Sequence, residues 1–118
     1  MGTDEMSGGK APKNKGDKYE RDVVSYLLSI GIPASRLKRG NPTGDVLTVP
    51  DIVIECKDQK SLCLAAWIDQ TSGEVEAAQA RYGIVIVKRA RKADVGRHYF
   101  VMEVEDGINL LREAGYLD

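Results

Sequence analysis

Asp45 and the run Glu55-Cys56-Lys57 lie on two stretches that read as the arms of one short β-hairpin. Both arms are β-rich, and Val49-Pro50-Asp51 between them favours a turn. Strand alternation puts Glu55 and Lys57 on one face, roughly 6–7 Å apart, and Ile52, Ile54 and Cys56 on the other. With residues 49–51 as a three-residue loop, Thr48 pairs with Ile52 and Asp45 faces Glu55, their Cβ atoms about 5 Å apart. Two carboxylates that close can ligate one hard cation. Without it they repel, and one is pushed towards protonation. Oxygen ligands favour Mg²⁺ or Mn²⁺. Such an ion polarises a phosphate and lowers the pKa of a bound water, which is the chemistry of phosphodiester hydrolysis. Lys57 would orient that water or stabilise the developing charge, and the main-chain carbonyl of Cys56 would be a further ligand.

Asp51 is the second choice for the metal aspartate. It precedes Glu55 by four residues, roughly 13 Å along the same strand, so it shares an ion with Glu55 only if the strand breaks. The competing reading of the whole feature is a half-exposed strand whose outer face carries an ordinary Glu–Lys pair.

The surrounding elements follow from periodicity. Tyr19, Val23, Tyr26, Leu27 and Ile30 form an apolar stripe that predicts a helix over 16–30, stopped by Gly31 and Pro33. Glu20 borders that stripe; it either faces inward to the metal or pairs with Lys18, Arg21 or solvent. Residues 34–39 predict a first strand with Leu37 inward. Residues 40–44 form a glycine-bearing loop, either a plain connector or a flap over a nucleic-acid backbone. After a polar turn at 58–61, residues 62–80 predict a helix packing through Leu64, Trp67, Ile68, Val75 and Ala78, with Gly73 a candidate break. Residues 82–87 predict a strand buried on both faces, 99–104 another strand, and 108–114 a short helix. The order α-β-β-β-α-β-β-α predicts an α/β fold, a mixed sheet flanked by helices, with a right-handed crossover into the fourth strand.

A chain of 118 residues predicts one domain, 16–118, preceded by a Gly-, Ser-, Lys- and Asp-rich arm at 1–15 expected to be disordered. There is no long apolar run or signal peptide, and Met6 stands where a myristoylation site wants a hydroxyl residue. The expectation is a soluble cytoplasmic protein with no membrane partner. Cys56 and Cys63, with His98 the single histidine, make a disulfide or zinc site a poor fit and predict reduced thiols. His98 has either a surface role or a phosphate contact. The net charge of −1 is not that of a general nucleic-acid binder. Its distribution matters more. Lys88, Arg89, Arg91, Lys92 and Arg97 crowd one segment, Arg36, Lys38 and Arg39 a second, and lysines dot the N-terminal arm. A basic rim around an acidic centre suits phosphate contacts.

Asp45 followed by Glu55-Cys56-Lys57, after a helix carrying Glu20, resembles the PD-(D/E)xK nuclease superfamily. The small size and helix-first order are similar to the Holliday junction resolvases of archaea and phages. Residues 44–57, Trp67-Ile68-Asp69-Gln70 and Lys88-Arg89 resemble short actinophage proteins of that kind. The resemblance covers about residues 15–115. It implies a restriction-endonuclease-like αβββαβ core with an extra strand and a C-terminal helix. It implies Asp45, Glu55 and Lys57 as the catalytic core, with Glu20 holding a second ion or a water, and adds Gln70 on the crossover helix as a weaker candidate. It also implies Mg²⁺ dependence, branched DNA as substrate, a homodimer that cuts two strands symmetrically and, for a phage protein, a site of action in the host cytoplasm. The departure is Gly44, where the written motif has proline. The expected activity is a structure-selective DNA endonuclease, with Lys88, Arg89, Arg91, Lys92, Arg36 and Lys38 on phosphates. Alternatives are a flap, nicking or restriction-type nuclease, a non-catalytic nucleic-acid-binding module, or a protein-interaction domain.

Overall fold

The structure is a computed structural model and describes residues 10–118. Helix α1 spans Lys10–Ser29. Strands β1 (Ser35–Arg36), β2 (Val46–Leu47) and β3 (Ile52–Lys57) follow, then helix α2 (Leu64–Ala78), strand β4 (Tyr82–Val87), strand β5 (Tyr99–Val101) and helix α3 (Val104–Glu113). The expected order of elements is the observed one. α1 begins inside the stretch read as an arm, and the rest of that arm, residues 1–9 with Met6, lies outside the described residues.

The five strands lie in sequence order in one sheet. The β1–β2, β2–β3 and β4–β5 pairs are antiparallel, and β3–β4 is parallel. A parallel pair needs a crossover, which α2 supplies. α1 and α2 then cover opposite faces. Tyr19 and Val23 of α1 pack on Val46 and Ile54, with Ile52 and Cys56 beside them. Trp67 of α2 packs on Val85 and Val87. Alternation along β3 therefore sends Ile52, Ile54 and Cys56 to α1, and Val53, Glu55 and Lys57 to the face under α2. The competing reading of a half-exposed outer face does not hold, because α2 makes this face a second interior.

Several boundaries differ from expectation: β1 keeps only Ser35–Arg36 of the stretch 34–39, and α2 runs Leu64–Ala78 rather than 62–80. β5 stops at Val101, and α3 starts at Val104 rather than 108, because Glu105 and Asp106 fall in the first turn, where acids favour the positive end of a helix. Gly73 does not break α2; nothing lies within 4 Å of where its Cβ would be, so it is a solvent-facing position in an unbroken helix.

Gly83 sets how close α2 comes to the sheet. A Cβ there would lie 2.5 Å from Thr71 Cγ2 and 2.8 Å from Val75 Cγ2. Both neighbours are stiff, β-branched side chains on α2. Gly83→Ala is expected to destabilise the protein by about 1–3 kcal/mol, read from urea unfolding, by forcing α2 off β4.

Candidate active site

Val46 pairs with Ile54, so Asp45 stands across from Glu55, the register expected from the loop length. The Asp45 amide donates to the Ile54 carbonyl at 2.9 Å, and its carboxylate Oδ2 accepts the Cys56 amide at 2.9 Å. That second bond extends the ladder past the end of β2 with a side chain. Gly44 explains why glycine precedes this aspartate. Its φ is +116°, which proline cannot adopt, and a Cβ would lie 3.0 Å from the Ile54 carbonyl oxygen and 3.1 Å from Val53 Cγ1.

Glu55 is 3 % exposed. Its Oε1 accepts from Gln70 Nε2 at 3.1 Å and lies 3.7 Å from the Lys57 ammonium. Lys57 Nζ donates to Gln70 Oε1 at 3.0 Å and lies 6.0 Å from the centre of the Trp67 ring. Gln70 Nε2 also reaches Glu74 Oε2 at 3.3 Å, while Glu74 Oε1 is buried without a hydrogen-bond partner. Burial, then the charges of Asp45 and Glu74, push the Glu55 carboxyl up to about 9 against the opposing pull of Lys57. Burial likewise raises Glu74. Glu74 carries no signal in the sequence beyond its position one helical turn after Gln70. A glutamate in a helix is ordinarily a solvated surface residue.

Glu20 and Arg36 meet at the other wall. Glu20 Oε1 accepts from Arg36 Nε at 3.2 Å and Nη2 at 3.1 Å. Burial and then Asp45 raise the Glu20 carboxyl, and Arg36 opposes them. Glu20 lines the cavity and is paired with Arg36 rather than with Lys18 or Arg21. Asp17 accepts from Arg36 Nη2 at 3.1 Å and from Arg39 Nη2 at 2.5 Å. Arg36 is therefore held by two acids of α1 in this state. The cavity between these walls is about 740 Å³ and is lined by Glu20, Asp45, Glu55, Lys57, Gln70 and Glu74 among others. Lys15, Arg39 and Lys60 stand around it. It opens at the carboxyl ends of the parallel strands, where α/β sheets commonly bind ligands.

Asp51 is exposed at the opposite end of β3, where its carbonyl accepts from the Arg81 and Tyr82 amides, and it does not line the cavity. Lys88 leaves β4 beside the cavity, with its amide on the Lys57 carbonyl and its ammonium 3.7 Å from Asp58. Arg89, Arg91 and Lys92 follow it on an exposed loop, and Lys38 is exposed after β1. His98 has a structural bond at each nitrogen, to the Tyr19 hydroxyl at 2.8 Å and the Lys92 carbonyl at 2.7 Å, tying the basic loop to α1. The Cys56 thiol is raised, chiefly by burial, so it is no nucleophile.

The donors suit a hard cation. Asp45 and Glu55 offer carboxylate oxygens, and the Cys56 carbonyl leaves the strand on the same edge as its amide, beside Asp45. Among the described residues no three acidic, histidine or cysteine side chains close on one point. Two carboxylates, one carbonyl and water are a set that suits Mg²⁺, which keeps several waters.

The structure is similar to that of the Holliday junction resolvase of Archaeoglobus fulgidus, an archaeal hyperthermophile. The TM-score is 0.51, with 24 % identity over 88 % of this chain and 98 % of that one. This chain has the fold of a Holliday junction resolvase. The resolvase-like fold is the one that the hairpin and element order imply, a mixed five-stranded sheet flanked by three helices. No family model matches the sequence, and no curated protein matches it significantly. Among the described residues, no helix is long and apolar enough to cross a membrane.

Glu55 makes stability pH-dependent. Its carboxyl titrates near 9 when folded and near 4.5 otherwise, so between those values the folded chain holds a proton the unfolded chain has lost. Stability is therefore greatest below the lower value and falls as pH rises towards the upper, by no more than about 1.4 kcal/mol per pH unit. Urea unfolding of the metal-free protein from pH 5 to 9 is expected to show this decline, and Glu55→Gln to flatten it.

Proposed function

We propose that this chain is a divalent-metal-dependent DNA endonuclease that cuts four-way junctions. The observation that carries the reading is half-buried Asp45 facing buried Glu55, with Lys57 on the same strand face, in a cavity rimmed by cations, on a resolvase fold. Asp45, Glu55 and the Cys56 carbonyl would hold the ion. When bound, Mg²⁺, or Mn²⁺ in its place, polarises the scissile phosphate and acidifies a coordinated water.

The chain's own residues do the rest. Lys57, held by Gln70, places an ammonium where negative charge develops on the phosphate. α2 and the Trp67 ring keep bulk water off this side of the site and strengthen its electrostatics. Glu20 offers a further oxygen to a water or second ion from the α1 wall. Lys88, Arg89, Arg91 and Lys92 on one side, and Arg36 and Lys38 on the other, contact backbone phosphates. Arg36 exchanges an acid partner for a phosphate as DNA enters. Paired cuts across a symmetric junction call for a homodimer, which places two such cavities on one substrate.

Incubation with labelled four-way junction, flap, nicked and linear duplex DNA, with Mg²⁺ or with EDTA, tests the reading. Mg²⁺-dependent products from the junction alone are expected. Preference for another substrate points to a flap, nicking or restriction-type nuclease. Retarded DNA without products at any divalent ion points to a binding module. Glu55→Ala and Lys57→Ala should each slow cleavage by at least about 10²–10³-fold in single-turnover assays while junction binding survives. Asp51→Ala should cut normally; its loss of activity together with an active Asp45→Ala would reverse the assignment of the metal aspartate.

A further inference from the structure

Gln70 and Glu74 stand one turn apart on α2 and line the same cavity. We propose that Glu74 is a positioning residue, which fixes the side-chain amide of Gln70 and, through it, the ammonium of Lys57. The proposal rests on the reading of this cavity as a nuclease site.

An amide side chain carries two donor hydrogens at one end and an acceptor oxygen at the other. Here the donors meet two carboxylates, Glu55 at 3.1 Å and Glu74 at 3.3 Å, and the oxygen meets the Lys57 ammonium at 3.0 Å. Rotating the amide by half a turn would set its oxygen against both acids and its NH₂ against the ammonium. The observed sense is thus selected by Glu55, Glu74 and Lys57 together. A cation drawing on the Glu55 carboxylate would compete with Gln70 for it, so Glu55 alone is the weaker anchor for the amide once the site is loaded. Glu74 is then the acceptor that keeps the amide oxygen aimed at Lys57.

One feature makes Glu74 more than a surface acid that happens to be near. Its second oxygen is buried with no partner, a cost that a side chain free to swing into water would avoid. The consequence is geometric. A lysine on a flexible four-carbon stem is placed only by what its ammonium touches, and a shift of about 1 Å at a reacting centre can lower a rate by about 10²-fold.

The test compares Glu74→Leu, Glu74→Ala and Glu74→Gln, alone and with Gln70→Ala, by two readouts. The first is the pair of Gln70 side-chain amide proton resonances in ¹H–¹⁵N spectra of the metal-free protein. Glu74→Leu and Glu74→Ala are expected to move one of the pair, and Glu74→Gln, which keeps an acceptor oxygen, to leave it nearly in place. The second is single-turnover cleavage of a four-way junction with Mg²⁺. Glu74→Leu is expected to slow it about 10–100-fold at unchanged junction affinity, Glu74→Gln to retain most of the rate, and Glu74→Leu to add no further loss once Gln70 is alanine. Unmoved amide resonances in Glu74→Leu overturn the proposal. So does a loss of equal size with and without Gln70, which would make Glu74 act on its own. If the wild-type protein cuts no DNA while the resonances move as expected, the nuclease reading fails and the amide contact stands.

Discussion

A carboxylate out of water is the constraint on which the rest of this structure depends. Glu55 lies on a strand face sealed by α2, beside two further acids, Asp45 and Glu74, with one lysine and one amide to offset them. An isolated buried charge costs several kcal/mol, so the folded chain keeps this group protonated over most of the accessible pH range unless a cation arrives. The site is poor as a structural ion pair and suited to a divalent ion. That is the pattern of a functional site in which local stability is given up for chemistry.

The fold explains how such a site can be built from so few residues. The parallel β3–β4 pair requires a crossover, the crossover is α2, and α2 must lie on the face that carries Glu55 and Lys57. Gly83 lets the helix approach closely enough for Gln70 and Glu74 to reach β3. Gly44 turns the chain so that Asp45 arrives at the end of β2 with its carboxylate on the Cys56 amide. The acids lie inside, while Lys15, Arg39 and Lys60 stand around the cavity mouth and Lys88 leaves β4 beside it. A net charge of −1 thus coexists with a cationic rim, because sign is sorted by depth.

Much of this was legible in the chain. The hairpin register followed from a turn of three residues, and it put Asp45 across from Glu55 without any knowledge of the sheet. The run at 84–87 declared a buried strand, and the stripe through Tyr19 and Val23 declared a packed helix. What stayed hidden has a common cause. Strand alternation shows which residues share a face, but not whether a second helix will cover that face, so Glu55 and Lys57 read equally well as surface charge. The same blindness hid Glu74, whose burial depends on α2 docking on β4. It also hid the pairing of Arg36 with Asp17 and Glu20, which links residues far apart in sequence through the seat of α1 on β1. The α3 boundary was missed for a local reason, since Met102 and Val104 continue a β-like pattern that the acids at 105 and 106 override.

Calorimetric titration of the metal-free protein with Mn²⁺ at pH 7.5, repeated in buffers of different ionisation enthalpy, tests the central claim most directly. One ion should bind with release of about one proton, because Glu55 must give up its hydrogen to become a ligand. The release should vanish in Glu55→Gln, and binding should weaken sharply in Asp45→Asn. Mn²⁺ binding that is indifferent to both substitutions, or no binding at all, would contradict a cation site between these two strands.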